Sequence, residues 1–317
     1  MQLTTHVLSG RMKVGLRRAS RLLRLAVHLA VGAAVVWAFF PRWDHAKRSA
    51  VRARWCRKAL HMLGVQLRVV GVVPTGCHLF AANHISWLDV IAIGAVLPCW
   101  YVSKYEIRAW PFFGWMAEAN DTLFLRRRSP RAVYRMNAVI RICLQEGESV
   151  VVFPEGTTTD GTKVLPFYPA LFQPAVDAAM PVMPLAISYL DDTSAVATAV
   201  AYIDDDPVWT SLRAVLDAPR TEVRLVLDQA LAGEKHKRRE LASRSCHAIR
   251  SLRSPPQELR AVDESSQVFG LPLQPLATNQ TVPARTLTSP APVLRMPSRP
   301  ASIRRDSPAT GSDRHSQ

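Results

Sequence analysis

The apolar positions of this chain change their period twice. From residue 25 to residue 40 they are continuous, LAVHLAVGAAVVWAFF, without a charge and with a Trp and two Phe at the far end. A bilayer-spanning helix needs about 20 apolar residues, so the run is short for a span. The chain then reads PRWDHAKR, which is not a small-x-small cleavage site. Basic residues flank both ends, so charge asymmetry assigns no orientation. Residues 46–63 next bring Val51, Trp55, Leu60 and Leu63 round at helical intervals with arginines between them. That is the pattern of a basic amphipathic helix lying in a headgroup layer. The two segments are expected to form a hairpin that dips into one leaflet. A single span is the alternative, and an ordinary core helix the bland one.

From about residue 65 short β-branched runs take over, at 67–73, 79–82, 100–103, 122–125, 149–153, 182–189 and 223–227. Helical spacing separates many of them, most clearly at 88–96, 131–145, 169–179 and 235–252. Such alternation predicts an α/β fold: a mostly parallel or mixed sheet flanked by helices, preceded by the N-terminal membrane-associated helix pair. Beyond residue 252 the chain turns to Pro, Ser, Thr and Gln, without the periodicity that buries a core. Three regions follow: basic membrane-associating helices at 1–64, a catalytic domain at 65–252, and a disordered tail at 253–317. No internal repeat is present.

Charge sharpens this picture. The net charge is +15 over 317 residues. Thirteen basic residues against Asp44 alone give the first 64 residues +12 of it. A concentration of that kind calls for a polyanionic partner, an anionic leaflet or a nucleic acid. The apolar, aromatic-ended run inside it suits lipid, so no nucleic-acid partner is expected. The five cysteines form no CxxC pair and no cluster with histidine, so neither a disulfide framework nor a metal site is expected.

Three segments carry candidate chemistry. In AANHISWLDVI a strand ends at Asn83–His84 and a helix begins soon after, which is where α/β folds expose functional groups. His84 suits proton transfer near neutral pH. Asp89, five residues on, reaches back to fix the imidazole tautomer and stabilise its cation. Ser86 is the nearest hydroxyl, and its position fits helix capping better than nucleophilic attack. A His–Asp pair without a nucleophile of its own points to activation of a substrate hydroxyl. In VVFPEGTTTDG a valine-rich strand runs into Phe153, Pro154, Glu155 and Gly156. Thr157, Thr158 and Thr159 then offer hydroxyls and amides to a polar or anionic group. A surface turn is the bland alternative. Lys104 follows one strand, and Arg126, Arg127 and Arg128 follow another, a candidate phosphate pocket or else a solvated face. Trp110, Phe112, Phe113 and Trp115 form an aromatic run fit for lipid or for a core.

Together these segments resemble the lysophospholipid acyltransferase family, typified by bacterial 1-acylglycerol-3-phosphate acyltransferases. Its first block, Asn-His-x4-Asp, is met by Asn83, His84 and Asp89. Lys104, Pro111, Gly114 and Arg126 fit the second, although the glycine usual before the strand is missing from EANDTLF. Phe153 to Thr157 match the third, Phe-Pro-Glu-Gly-Thr-Arg, with Thr158 standing where arginine is usual. The fourth is similar to the stretch around Pro181 and Pro184.

The resemblance implies that His84 is a general base oriented by Asp89. It also implies that Lys104, Arg126, Glu155, Gly156, Thr157 and Thr158 meet the acceptor and its headgroup. The donor is then an acyl-CoA or acyl carrier protein thioester, with no cofactor and no metal. The leading acceptor is lysophosphatidate, acylated to phosphatidate in phospholipid biosynthesis. A phosphorus-free lysolipid such as lyso-ornithine lipid is the alternative, because Thr158 removes an expected phosphate ligand. The expected location is the cytoplasmic face of a bacterial-type cytoplasmic membrane, monotopic or by a single span. A hydrolase that uses the same pair with water is the remote competitor.

Overall fold

Seven short strands form a single sheet among the residues the computed structural model describes, namely 2–125, 130–203 and 207–253. The strands are β1 (Val65–Val70), β2 (Leu79–Ala82), β3 (Cys99–Lys104), β4 (Thr122–Leu125), β5 (Ser149–Val152), β6 (Val182–Leu190) and β7 (Thr221–Leu227). Their order is β1-β7-β6-β2-β5-β3-β4, parallel throughout except between β6 and β7. This is the mixed α/β sheet flanked by helices that the sequence predicts. Every residue of β2 and β5 is buried, which is why both read as unbroken apolar runs.

Side-chain alternation divides the core in two. Phe80, Ala82 and Val151 face one layer, while Leu79, Ala81, Val150 and Val152 face the other. The first layer is covered by α2 (His45–Leu63), α3 (Leu88–Gly94) and α7 (Val208–Asp217). The second is covered by α5 (Pro130–Gln145), α6 (Gln173–Ala178) and α8 (Arg238–Arg253). The aromatic run folds as α4 (Pro111–Ala119), with Trp110, Phe112, Phe113 and Trp115 all exposed.

The N-terminal region differs from expectation. Asp44 caps α2 by accepting the Lys47 N–H at 2.7 Å, and Gly64 closes it in the left-handed region. Its apolar face, Cys56, Ala59, Leu60 and Leu63, is buried in the protein core rather than laid in lipid. The pair is therefore not a hairpin with both apolar faces free. Of the two helices, α1 (Gln2–Phe39) is the one that turns a row of apolar side chains outward: Leu16, Leu23, Val27, Val31 and Trp37. It is long and apolar enough to cross a membrane.

The inner face of α1 is fastened to the domain. The buried Arg21 donates to the open carbonyls at the end of α7, Leu216 at 3.1 Å and Ala218 at 2.6 Å. His28 stacks on Trp55 of α2 with centroids 4.7 Å apart, and Gly32 leaves room for that indole. At the other boundary, α8 runs one residue past the expected domain limit and includes Arg253. The rest of the expected tail lies outside the described residues.

A buried ion pair fixes α2 to the β3–β4 edge. Arg52 Nη1 meets Asp121 Oδ2 at 2.6 Å, and His45 lies 3.4 Å from the same oxygen. Removing one partner of such a pair strands the other charge, at about 3–5 kcal/mol. Arg52→Met should therefore lose stability of that order, and adding Asp121→Asn should restore much of it. Denaturant titrations of the variants in detergent measure both effects.

Candidate active site

Strands β2, β5 and β3 are adjacent and parallel, so the segments after them emerge at one edge of the sheet. That edge collects Asn83 and His84 after β2, Phe153 to Thr158 after β5, and Lys104 at the end of β3. The first and third blocks, with Lys104 of the second, are thereby brought to one edge.

Asn83 has no solvent exposure and pins β2 to β6. Its amide donates to the Ile187 carbonyl at 3.0 Å and accepts the Ile187 N–H at 2.7 Å. His84 follows, with Nδ1 2.7 Å from Asp89 Oδ2. The same oxygen accepts the Ile85 and Ser86 N–H groups at 2.7 and 3.0 Å. Oδ1 accepts the Tyr189 hydroxyl at 2.7 Å. Burial, and then the Asp89 charge, hold the Tyr189 pKa well above its usual value, so the phenol remains a donor. Ser86 does not cap α3; its hydroxyl donates to the Val200 carbonyl at 2.8 Å. The turn's amides are satisfied by Asp89 instead.

The other side of His84 is fixed as firmly. Its ring stacks on Phe153, centroids 4.0 Å apart. Its N–H donates to Glu155 Oε1 at 2.7 Å, and its carbonyl accepts the Thr159 N–H at 2.9 Å. Glu155 Oε2 accepts the Leu165 N–H at 2.7 Å. Burial raises the Glu155 pKa, and these backbone N–H groups oppose the rise. Glu155 was expected to meet the headgroup, but both its oxygens hold backbone, which makes it a positioning residue for His84. Gly156 has φ +74°, and the Tyr168 ring occupies the space a Cβ would need. Thr157 and Thr158 are half-buried beyond it.

The remaining block residues divide into neighbours and supports. Lys104 is half-buried at the end of β3, opposite Leu125 in register. Arg126, Arg127 and Arg128 lie outside the described residues. Pro111 opens α4, and a side chain at Gly114 would come within 2.3 Å of the Arg108 carbonyl oxygen, so both shape the turn after Lys104. Pro154 accepts the Tyr168 N–H through its carbonyl at 2.9 Å. Pro181 and Pro184 lie away from the site edge: the first accepts the Leu79 N–H at 3.0 Å and the second pairs with Ala81. They register β6 on β2. Tyr189 went unread in the sequence because only sheet order puts β6 beside β2. Burial pushes the thiols of Cys56 and Cys99 up to about 12, which disqualifies them as thiolate nucleophiles.

The acyltransferase family profile matches residues 66–188, the span that contains His84, Asp89 and the loop from Phe153 to Thr159, while Tyr189 and Val200 lie just past it. A lyso-ornithine lipid O-acyltransferase of Pseudomonas aeruginosa is 36% identical over 239 residues, 74% of this chain and 92% of that protein. The chain belongs to the acyltransferase family. Membership bears out the resemblance drawn from the four blocks. A 1-acyl-sn-glycerol-3-phosphate acyltransferase of Neisseria gonorrhoeae is 41% identical over 131 residues, 41% of this chain and 51% of that one. A crystallised 1-acyl-sn-glycerophosphate acyltransferase from Thermotoga maritima shares the fold, with a TM-score of 0.58 at 20% identity. It covers 78% of this chain and 100% of its own.

Tyr189→Phe tests the architecture beneath the pair. A hydrogen bond to a charged group contributes about 1.5–3 kcal/mol, so thermal or denaturant unfolding should show a loss of that size. The acyltransferase rate should fall yet stay measurable, because the His84–Asp89 contact is retained. A fully active variant of unchanged stability would separate Tyr189 from the site.

Proposed function

We propose that this enzyme moves a fatty acyl group from a thioester donor to the free hydroxyl of a lysolipid, with His84 as general base and Asp89 as its orienting partner. What carries the reading is the 2.7 Å His84–Asp89 contact at the sheet edge. The nearest hydroxyls are turned to backbone: Ser86 donates to the Val200 carbonyl and Thr159 to the Lys163 carbonyl. A base and its carboxylate without a protein nucleophile fit direct attack by substrate. With Nδ1–H donated to Asp89, Nε2 takes the hydroxyl proton as the oxygen adds to the thioester carbonyl. The tetrahedral intermediate collapses, the C–S bond breaks, and the imidazolium returns its proton to the leaving thiolate. Ester and free thiol result. A placed base typically contributes about 10²–10⁴-fold to such a step. The donor is acyl-CoA or acyl carrier protein, and α1 seats the enzyme at the cytoplasmic face of the cytoplasmic membrane.

For the acceptor we place lyso-ornithine lipid first, reversing the order suggested by the blocks alone. Two observations support it. The long match runs over 92% of a lyso-ornithine lipid O-acyltransferase, and Thr158 stands where a phosphate-binding arginine is usual. Lysophosphatidate is the second reading, supported by the 41% identity to the Neisseria enzyme and by Lys104 at the strand end.

His84→Ala should abolish transfer in a protein that still folds, with some loss of stability because Asp89 Oδ2 keeps only its two backbone donors. Near-normal turnover by the folded variant would remove His84 from this role. Purified enzyme assayed against both lysolipids decides the acceptor. If it is lyso-ornithine lipid, Thr158→Arg should lower activity on it, because the change puts a cation in a pocket not built for phosphate. Improved or unchanged use of lysophosphatidate, with none of lyso-ornithine lipid, would reverse the order again.

A further inference from the structure

The last turn of α8 lies against the loop that follows Glu155. Arg250 Nη2 donates to the Val164 carbonyl at 2.9 Å, and Arg253 Nη2 donates to the Gly161 carbonyl. Gly161 in turn donates its N–H to Thr159 Oγ1 at 3.3 Å, and the Thr159 N–H holds the His84 carbonyl. A guanidinium from the far end of the domain is thus tied to the loop that holds the base. Its Nε is buried without a hydrogen-bond partner, a rare condition for a buried polar atom.

The surrounding charges do not use this cation up. Glu155, Asp89 and Asp160 attract it, although burial pushes its pKa below the usual arginine value. Both oxygens of Glu155 and of Asp89 are engaged by other donors, and Asp160 Oδ1 accepts from Thr162. What remains is a half-buried arginine with donor capacity to spare, beside a reaction site whose usual loop arginine is Thr158. A planar guanidinium matches a carboxylate or phosphate in fork geometry.

We propose that Arg253 binds the anionic group of the acceptor headgroup, the carboxylate in the case of an ornithine lipid, and is a determinant of acceptor specificity. The proposal rests on the lysolipid acyltransferase reading above. Anionic groups also occur in the donor, as the phosphates of coenzyme A, so the test must separate the two sources.

Full-length enzyme in detergent is compared with Arg253→Met and Arg253→Lys. The acceptors are lyso-ornithine lipid, lysophosphatidate and uncharged monoacylglycerol; the donors are acyl-CoA and an acyl-N-acetylcysteamine thioester. Arg253→Met should raise the KM for the charged acceptor that wild type uses about ten- to a hundredfold, with kcat changed far less. Arg253→Lys should recover part of the loss, and donor KM should not move. An equal fall in kcat on every acceptor would reduce Arg253 to a latch on the loop and overturn the proposal. So would a KM rise for acyl-CoA that the phosphate-free thioester does not show. Should Arg253→Met fail to fold, the Lys variant must still show the KM shift on the charged acceptor; an unchanged KM overturns the proposal. Wild type that uses lysophosphatidate but not lyso-ornithine lipid refutes the acceptor reading alone, and Arg253 is then judged by the same split on the phosphate.

Discussion

A carboxylate with no solvent exposure, Asp89, anchors the candidate site, and much of the site is the set of donors that fills its lone pairs. Taking such an ion out of water costs several kcal/mol unless its lone pairs are filled. Asp89 has them filled from both ends of the local structure: the His84 ring, the Ile85 and Ser86 amides, and the Tyr189 hydroxyl. Each donor fixes something. The two amides set the turn that starts α3, the ring takes one tautomer, and Tyr189 ties the turn to β6. The acid therefore builds the turn and, in the proposed reaction, stabilises the imidazolium formed beside it, in surroundings where screening is weak.

His84 itself is constrained from every side except the one needed for chemistry. Its N–H goes to Glu155, its carbonyl to Thr159, its Nδ1 to Asp89, and one ring face to Phe153. A side chain held by this many partners loses little freedom when a ligand arrives, which is what preorganisation means in structural terms. It also explains why Glu155 sits where a headgroup ligand was expected. The Phe-Pro-Glu-Gly loop grips the histidine turn across the β2–β5 register, so one block serves the other.

Much of this was legible in the sequence, and the misses share a cause. The strands 79–82 and 122–125 match at both ends, and the pairing of His84 with Asp89 follows from local spacing alone. The edge strand β1 was misplaced by a few residues because an exposed edge tolerates mixed polarity. Helix α2 carries an amphipathic pattern that reveals an apolar face but not what covers it, and the cover is protein core rather than lipid. Helix α7 lies outside the sequence expectation, as do the contacts of Tyr189 and Arg253, which depend on sheet order and on the path of α8. No local period encodes a partner 100 residues away, as Tyr189 is from Asp89.

The basic N-terminus shows the same limit in its charge. Counted along the sequence it looks like a single cationic patch for an anionic leaflet, yet Arg21 and Arg52 are buried and Arg18 pairs with Asp217 at 3.2 Å. Several of these charges hold protein to protein. Arg21 fastens α1 to the end of α7. On α7, Ser211 donates to the Val200 carbonyl at 3.2 Å, the acceptor that Ser86 of the histidine turn also uses. Trp87 donates to Ser211 in turn, at 3.2 Å. The route from the apolar helix to the histidine turn thus runs through α7 and Val200, both distant in sequence from that turn. It is a positional chain of packed, hydrogen-bonded parts, and through it the helix that faces outward fixes the location of the proposed base.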